Sequence, residues 1–253
     1  MNIVLAAVAA AAVTWQPALP GYTFHFPADY GAHESSRDEW WYYTGNLRDA
    51  RGHRYGFELT FFRVGIQPRL PGGSPWDIDD LYFSHFAVTD TAGGTYYHVD
   101  QTGRGALGEA GAATGDERVW LDRSSARRSA GGRHALQARA DDFALHLTLS
   151  PRKPAVLNGR DGVSRKGSCR GCASHYYSFT DLSQRRALVA VGKRTRHRHC
   201  LERPRVGIRR SRARRRRMGL VLSTARRRSR AHALHAAARR RQCDSREQRH
   251  VGG

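Results

Sequence analysis

Between Asp38 and Thr180, apolar and polar residues alternate with a period of two in a series of short runs, with turn residues recurring every eight to twelve residues in its later part. The densest stretch is Asp38-Glu39-Trp40-Trp41-Tyr42-Tyr43-Thr44-Gly45-Asn46-Leu47. Read as a strand, it sets Glu39, Trp41 and Tyr43 on one face and Trp40, Tyr42 and Thr44 on the other. Bulk on both faces suits a strand in a closed sheet, with one face on an interior and the other under a covering layer. Across a turn at Asp49-Ala50-Arg51-Gly52, the run Tyr55 to Phe62 completes a hairpin. In that run Phe57, Leu59 and Phe61 oppose Glu58 and Thr60. Further strands are predicted over Leu81 to Asp90, Thr95 to Val99, Val119 to Leu121, Ala135 to Ala140, Phe143 to Leu149 and His175 to Thr180. The Phe143 run is the cleanest, with Phe143, Leu145, Leu147 and Leu149 sharing a face. Residues 21–37, with Pro27, Gly31, His25 and His33, read as a lead-in loop, and no amphipathic helix of any length precedes residue 190. Such a meander predicts an all-β, antiparallel barrel or sandwich.

Charge divides the chain unevenly. Of 43 Lys and Arg, 22 fall in residues 193–253, beside only 3 of the 22 acidic residues. All 24 Phe, Trp and Tyr lie at or before Phe179. The front of the chain can therefore bury a sizeable core, whereas the basic remainder lacks the apolar side chains for one. The formal charge of +21 consequently describes the last quarter and not the domain as a whole. If that segment is a genuine polybasic arm, runs such as Arg214 to Arg217 and Arg226 to Arg230 would bind nucleic acid or an anionic membrane through phosphates. Without an aromatic to stack on bases, no sequence-specific nucleic-acid partner is expected.

Met1 to Val13 is an apolar, alanine-rich run too short to span a bilayer. It has the character of a secretory signal core without a preceding Lys or Arg, which points to a periplasmic or secreted protein and otherwise to a cytoplasmic one. No integral membrane span is expected. Cys169 and Cys172 form a lone C-x-x-C in a Gly- and Ser-rich loop with no helix following, so neither a thioredoxin-type motif nor a metal site is expected. No cofactor is called for.

Several side chains have chemistry to offer. Glu39 and Glu58, on neighbouring hairpin strands, would form an interior carboxylate pair suited to general-acid work if both faced inward. Each would otherwise bond a backbone group or an arginine such as Arg63. His85, flanked by Phe83 and Phe86, joins them as a catalytic candidate, against its reading as a satisfied barrel histidine. His33, Trp41, Tyr43, Lys166 and Tyr176 are the ligand-binding candidates, the aromatics for their apolar area and single polar handle.

Five motifs occur in one order: Glu39-Trp40-Trp41-Tyr42, then Gly56 to Arg63, Ser84-His85-Phe86-Ala87, Gly162 to Gly167, and Ala173 to Ser178. Together they resemble the AttH-like and carotenoid 1,2-hydratase family of bacterial lipocalin-like proteins, over roughly residues 20–190. The resemblance implies two lipocalin-type β-barrels in tandem and an apolar, elongated, isoprenoid- or lipid-like ligand. In the hydratases an acid protonates a terminal double bond and water captures the cation. On this pattern residues 1–20 are a signal segment, 21–160 a first barrel, 161–192 the start of a second, and 193–253 a disordered or irregular basic tail.

The family's second-barrel motifs, Trp-x-Asp-His-Glu-Trp and Gly-Trp-Asp-Trp-Phe, are absent, and arginine runs stand in their place. Codons for Met218-Gly219, shifted by one base, force a tryptophan and permit Trp-Asp-Trp-Phe onward. The same shift permits Ala-Trp-Ser-Asp-His-Glu-Trp across Cys200 to Gly207 and a Leu-Met-Leu-Tyr ending across Ala225 to Arg240. The expectation is a one-base slip near Gly192 that replaced the second barrel with out-of-frame sequence. Such a chain would bind an apolar molecule without hydratase activity; the alternative is an active hydro-lyase.

Overall fold

A computed structural model describes residues 15–49, 51–67, 72–74, 76–180, 182–191 and 206–213. The strongest alternation in the chain builds the centre of the larger sheet. Strands β1 (Asp38–Arg48), β2 (Arg54–Gly65), β3 (Asp80–Asp90) and β4 (Thr95–Arg104) form an antiparallel meander. The β1–β2 turn closes on Asp49, whose carboxylate accepts the backbone N–H groups of Arg51 and His53. Gly52 takes the positive φ that this turn requires (+87°).

The smaller sheet follows from shorter, weaker alternations: β5 (Ala110–Ala112), β6 (Arg118–Leu121), β7 (Ser124–Arg128), β8 (His134–Arg139) and β9 (Phe143–Pro151), then β13 (Leu182–Val191) on the far side of β9. Between β9 and β13 the chain returns to the larger sheet through β10 (Val156–Leu157), β11 (Val163–Arg165) and β12 (Ala173–Phe179). The order there is β10-β12-β14-β1-β2-β3-β4, with β14 (Val206–Ala213) inserted between β12 and β1. Every strand pair is antiparallel, and no α-helix occurs among the described residues.

Both sheets turn one face to a common core. Trp41, Tyr43, Leu59, Phe61 and Phe86 from the larger sheet meet Val119, Leu136, Leu145, Leu147 and Leu149 from the smaller. Phe86 stacks on Phe143 with centroids 4.6 Å apart. At about 25 cal/mol per Å² of apolar surface, these fully buried side chains stabilise the packing by about 1.5–3 kcal/mol each.

Two placements in the larger sheet bring distant parts of the chain together. Val156–Leu157, within the first barrel expected over residues 21–160, and Ala173–Phe179, in the segment expected to start a second, lie in the same sheet as β1 to β4. Val206–Ala213, expected within an irregular tail, forms a ladder from Asp38↔Ala213 to Gly45↔Val206 on β1, and from Tyr176↔Ser211 to Phe179↔Ile208 on β12. The physical reason is backbone demand. The edges of β1 and β12 present rows of N–H and C=O groups that any extended segment can pair, whatever its side chains. The rest of 193–253, and Met1 to Val13, lie outside the described residues.

The lead-in loop crosses one end of the core as a strap. It carries a short 3-10 turn, Ala28–Tyr30, and passes so close to the turn before β6 that a Cβ on Gly31 would lie 2.6 Å from the backbone nitrogen of Gly115. Ala32 donates its N–H to the carbonyl of Ala113 at 2.7 Å.

Candidate functional site

Alternation along β1 sets Glu39, Trp41 and Tyr43 side by side on the core face, each buried and each holding a polar partner. Glu39 anchors one network at the strap, Tyr43 anchors a second between the sheets, and Trp41 lies between them. The Trp41 indole donates to the carbonyl of Tyr30 at 3.2 Å, which fixes the strap over the strand.

In the strap network, His33 bridges two carboxylates. Its Nδ1 lies 2.8 Å from Glu39 and its Nε2 lies 2.8 Å from Asp29, while its backbone N–H also donates to Glu39 at 2.9 Å. Asp29 further accepts from the Tyr22 hydroxyl and from the backbone N–H of His25. On the other side of Glu39, Arg63 donates from Nε at 3.1 Å and from Nη2 at 2.9 Å. The same guanidinium reaches Asp80 at 2.8 Å and the carbonyls of His33 and Ser36 at 2.8 and 2.6 Å. Burial alone would raise the Glu39 pKa, but the His33 hydrogen bond and the Arg63 charge outweigh it, and the carboxyl lies below the usual range. Burial likewise opposes the charge on Arg63, while Glu39 and Asp80 overcome it and raise its pKa. Glu39 is thus an ionised anchor for the strap and a poor proton donor.

In the inter-sheet network, Glu117 accepts from the Tyr43 hydroxyl at 2.6 Å and meets His134 Nδ1 at 2.6 Å. Tyr43, Glu117 and His134 are 0 %, 2 % and 1 % exposed. Sequence reading named Tyr43 but missed its two partners. Neither Glu117 nor His134 lies in an aromatic motif, and the contact spans 74 positions, so only the hydrophobic register around β6 and β8 hinted at it. A file of rings connects this network to the surface. Phe26 stacks on Tyr30 at 4.7 Å, Tyr30 meets the His134 ring edge-on at 5.9 Å, and Tyr177 and Phe179 lie alongside.

The three residues read as catalytic are not brought together. Glu39 is inside, but Glu58 and His85 face the opposite side of the same sheet, so the interior Glu39–Glu58 pair is corrected. The reason is strand parity: Phe57, Leu59 and Phe61 take the core face of β2, and Glu58, being out of phase with them, must turn away. Glu58 lines an outer groove of about 400 Å³ with Thr44, Thr89 and Tyr96. His85 packs against Phe62 at 5.3 Å and lies 3.6 Å from Asp100. Of the ligand-binding candidates, His33, Trp41 and Tyr43 belong to the two networks described above. Lys166 instead sits over the Tyr176 ring at 5.5 Å, away from the core face. Cys169 and Cys172 are joined in a disulfide. Among the described residues, no group of three or more His, Cys, Asp or Glu is arranged to hold a metal.

The architecture and this β1 motif can be set against known proteins. The AttH-like family profile matches residues 17–198. The chain belongs to the AttH-like family. A crystal structure assigned as an AttH from Nitrosomonas europaea is 32 % identical, with a TM-score of 0.68, and covers 80 % of this chain. This AttH-like chain spans 59 % of the length of that protein. Kievitone hydratase from Nectria haematococca superposes with a TM-score of 0.55 over 81 % of this chain and 56 % of its own, at 8 % identity, a likeness of fold alone. No curated protein matches. The lipocalin-like fold of these structures is the one the resemblance implied, and its all-β, antiparallel character is what the alternation predicted.

Proposed function

We propose that this AttH-like chain binds an elongated apolar molecule, of isoprenoid or lipid type, among the aromatic side chains of its core and does not transform it. The observation that carries this reading is the ring file from Phe26, 39 % exposed, inward through Tyr30 to Tyr177 and Phe179. Aromatic side chains supply large apolar contact area at small conformational cost. Hydratase chemistry of the carotenoid type needs a carboxylic acid that holds a proton near neutral pH. Glu39 does not meet that need, since His33 and Arg63 stabilise its ionised form. The second-barrel acid motif of the family is absent from the sequence.

Organic extraction of the purified 253-residue protein, followed by mass spectrometry, tests the reading. The expected result is a co-purifying apolar compound and no hydrated product on incubation with an acyclic carotene. A turned-over carotene would overturn the inactive assignment and restore the hydro-lyase reading.

Two further proposals accompany it. The apolar Met1 to Val13 run supports export to the periplasm or beyond, checked by fractionation of expressing cells. The end of the family match at residue 198 supports a one-base slip near Gly192, and resequencing the DNA there decides it.

A further inference from the structure

The inter-sheet network leaves one hydrogen-bonding position open. Glu117 accepts the Tyr43 O–H, and its contact with His134 Nδ1 is a hydrogen bond in which an ionised carboxylate would accept. With Nδ1–H given to the carboxylate, the Nε2 of an uncharged imidazole is left as an acceptor. Nε2 is buried and has no hydrogen-bond partner among the described residues. A buried polar atom without a partner destabilises its surroundings, and a donor brought to it relieves that cost. The surround of this atom is aromatic: the His134 ring lies 5.9 Å from Tyr30 and 5.7 Å from Phe179.

Both rings between His134 and the surface, Tyr30 and Phe26, sit on the strap and not on a strand. Loop side chains turn aside more readily than strand side chains wedged between sheets. An apolar chain that replaces their ring contacts would place its end at His134.

We propose that Tyr43, Glu117 and His134 form the polar terminus of the binding site, and that the ligand is an aliphatic alcohol whose hydroxyl donates to His134 Nε2. This rests on the apolar-ligand reading above and adds to it a chemical class and a named acceptor. Tyr43 and Glu117 act as positioning residues: they hold the tautomer and the ring orientation, and His134 alone touches the ligand.

The test compares two isomers of equal apolar size, 1-decanol and methyl nonyl ether, titrated calorimetrically into the intact protein. Only the alcohol can donate a hydrogen bond. The alcohol is expected to bind about ten-fold or more tightly than the ether, as for a buried acceptor that gains or lacks its donor. In His134→Phe the two isomers are expected to bind alike, with ether affinity kept.

Equal binding of both isomers to the native protein would overturn the alcohol assignment while leaving the apolar reading intact. Failure of both to bind would remove the apolar reading and this inference together. A preference for alcohol that survives in His134→Phe would also overturn it. Should that variant not fold, nitrogen-15 NMR of histidine in the native protein reads the same atom. A shift of Nε2 on adding decanol but not the ether supports the proposal. A resonance that either moves with neither isomer, or is already hydrogen-bonded by water without ligand, overturns it.

Discussion

Arg63 is 3 % exposed and held between Glu39 and Asp80, which are themselves buried. Removing one member of such a cluster leaves uncompensated charge inside the fold. Arg63→Ala is therefore expected to destabilise the protein by about 3–5 kcal/mol, measured by urea unfolding. The pH dependence follows from the lowered pKa of Glu39. A carboxylate whose folded pKa lies below its unfolded value of about 4.3 stabilises the fold fully above that value and loses the contribution as pH falls through the folded pKa. Unfolding free energy should thus drop as pH falls below the unfolded carboxylate value of about 4.3, and Glu39→Gln should flatten that limb. An unchanged acid limb in the variant would show that other carboxylates carry it.

At the scale of elements, β14 decides whether β1 is a central strand or an edge. A chain ended after Val191 would leave one side of β1 and one side of β12 without ladder partners. Hydrogen exchange of this shortened protein should then show lost protection at the β1 and β12 amides that face the gap, with β8 and β9 unchanged. Equal protection in both forms would mean that β14 does not hold these strands in solution. The strap is a second such element. Its position depends on side chains far apart in sequence, since the Tyr177 hydroxyl donates to the carbonyl of Asp29 across 148 positions and Arg63 donates to the carbonyls of His33 and Ser36.

For the whole molecule, the outer face of the larger sheet is the unusual surface. Trp40, Phe62 and Phe83 are register neighbours on β1, β2 and β3, half-buried, on the side away from the core. The AttH structure from Nitrosomonas europaea is longer, and this chain covers 59 % of it. A contiguous apolar row of this kind drives association or binds hydrophobic dyes. The purified protein is expected to self-associate in analytical ultracentrifugation, and the double substitution Phe62→Thr, Phe83→Thr should weaken that association. A monodisperse monomer without dye binding would show that the row is covered.

What the sequence determined by itself was local. Period-two alternation placed β1, β2, β3, β6, β8, β9 and β12 close to their observed bounds, and the first half of β4, because one apolar face per strand is a pattern of neighbours along the chain. It missed the short β5, β10 and β11, the ten-residue β13, β7, Ser-Ser-Ala-Arg-Arg, where no large apolar residue marks the inward positions, and β14, which is recruited by its neighbours' backbones. It also brought out Glu39, Trp41 and Tyr43 as one face. Which face became the interior was settled only when two sheets met over it, and that choice sent Glu58 and His85 outward. The Glu117–His134 pair and the Arg63 cluster were likewise decided by tertiary structure alone. Their energy comes from charges and hydrogen bonds closed between distant strands in a buried setting, and no property of a single segment encodes that meeting.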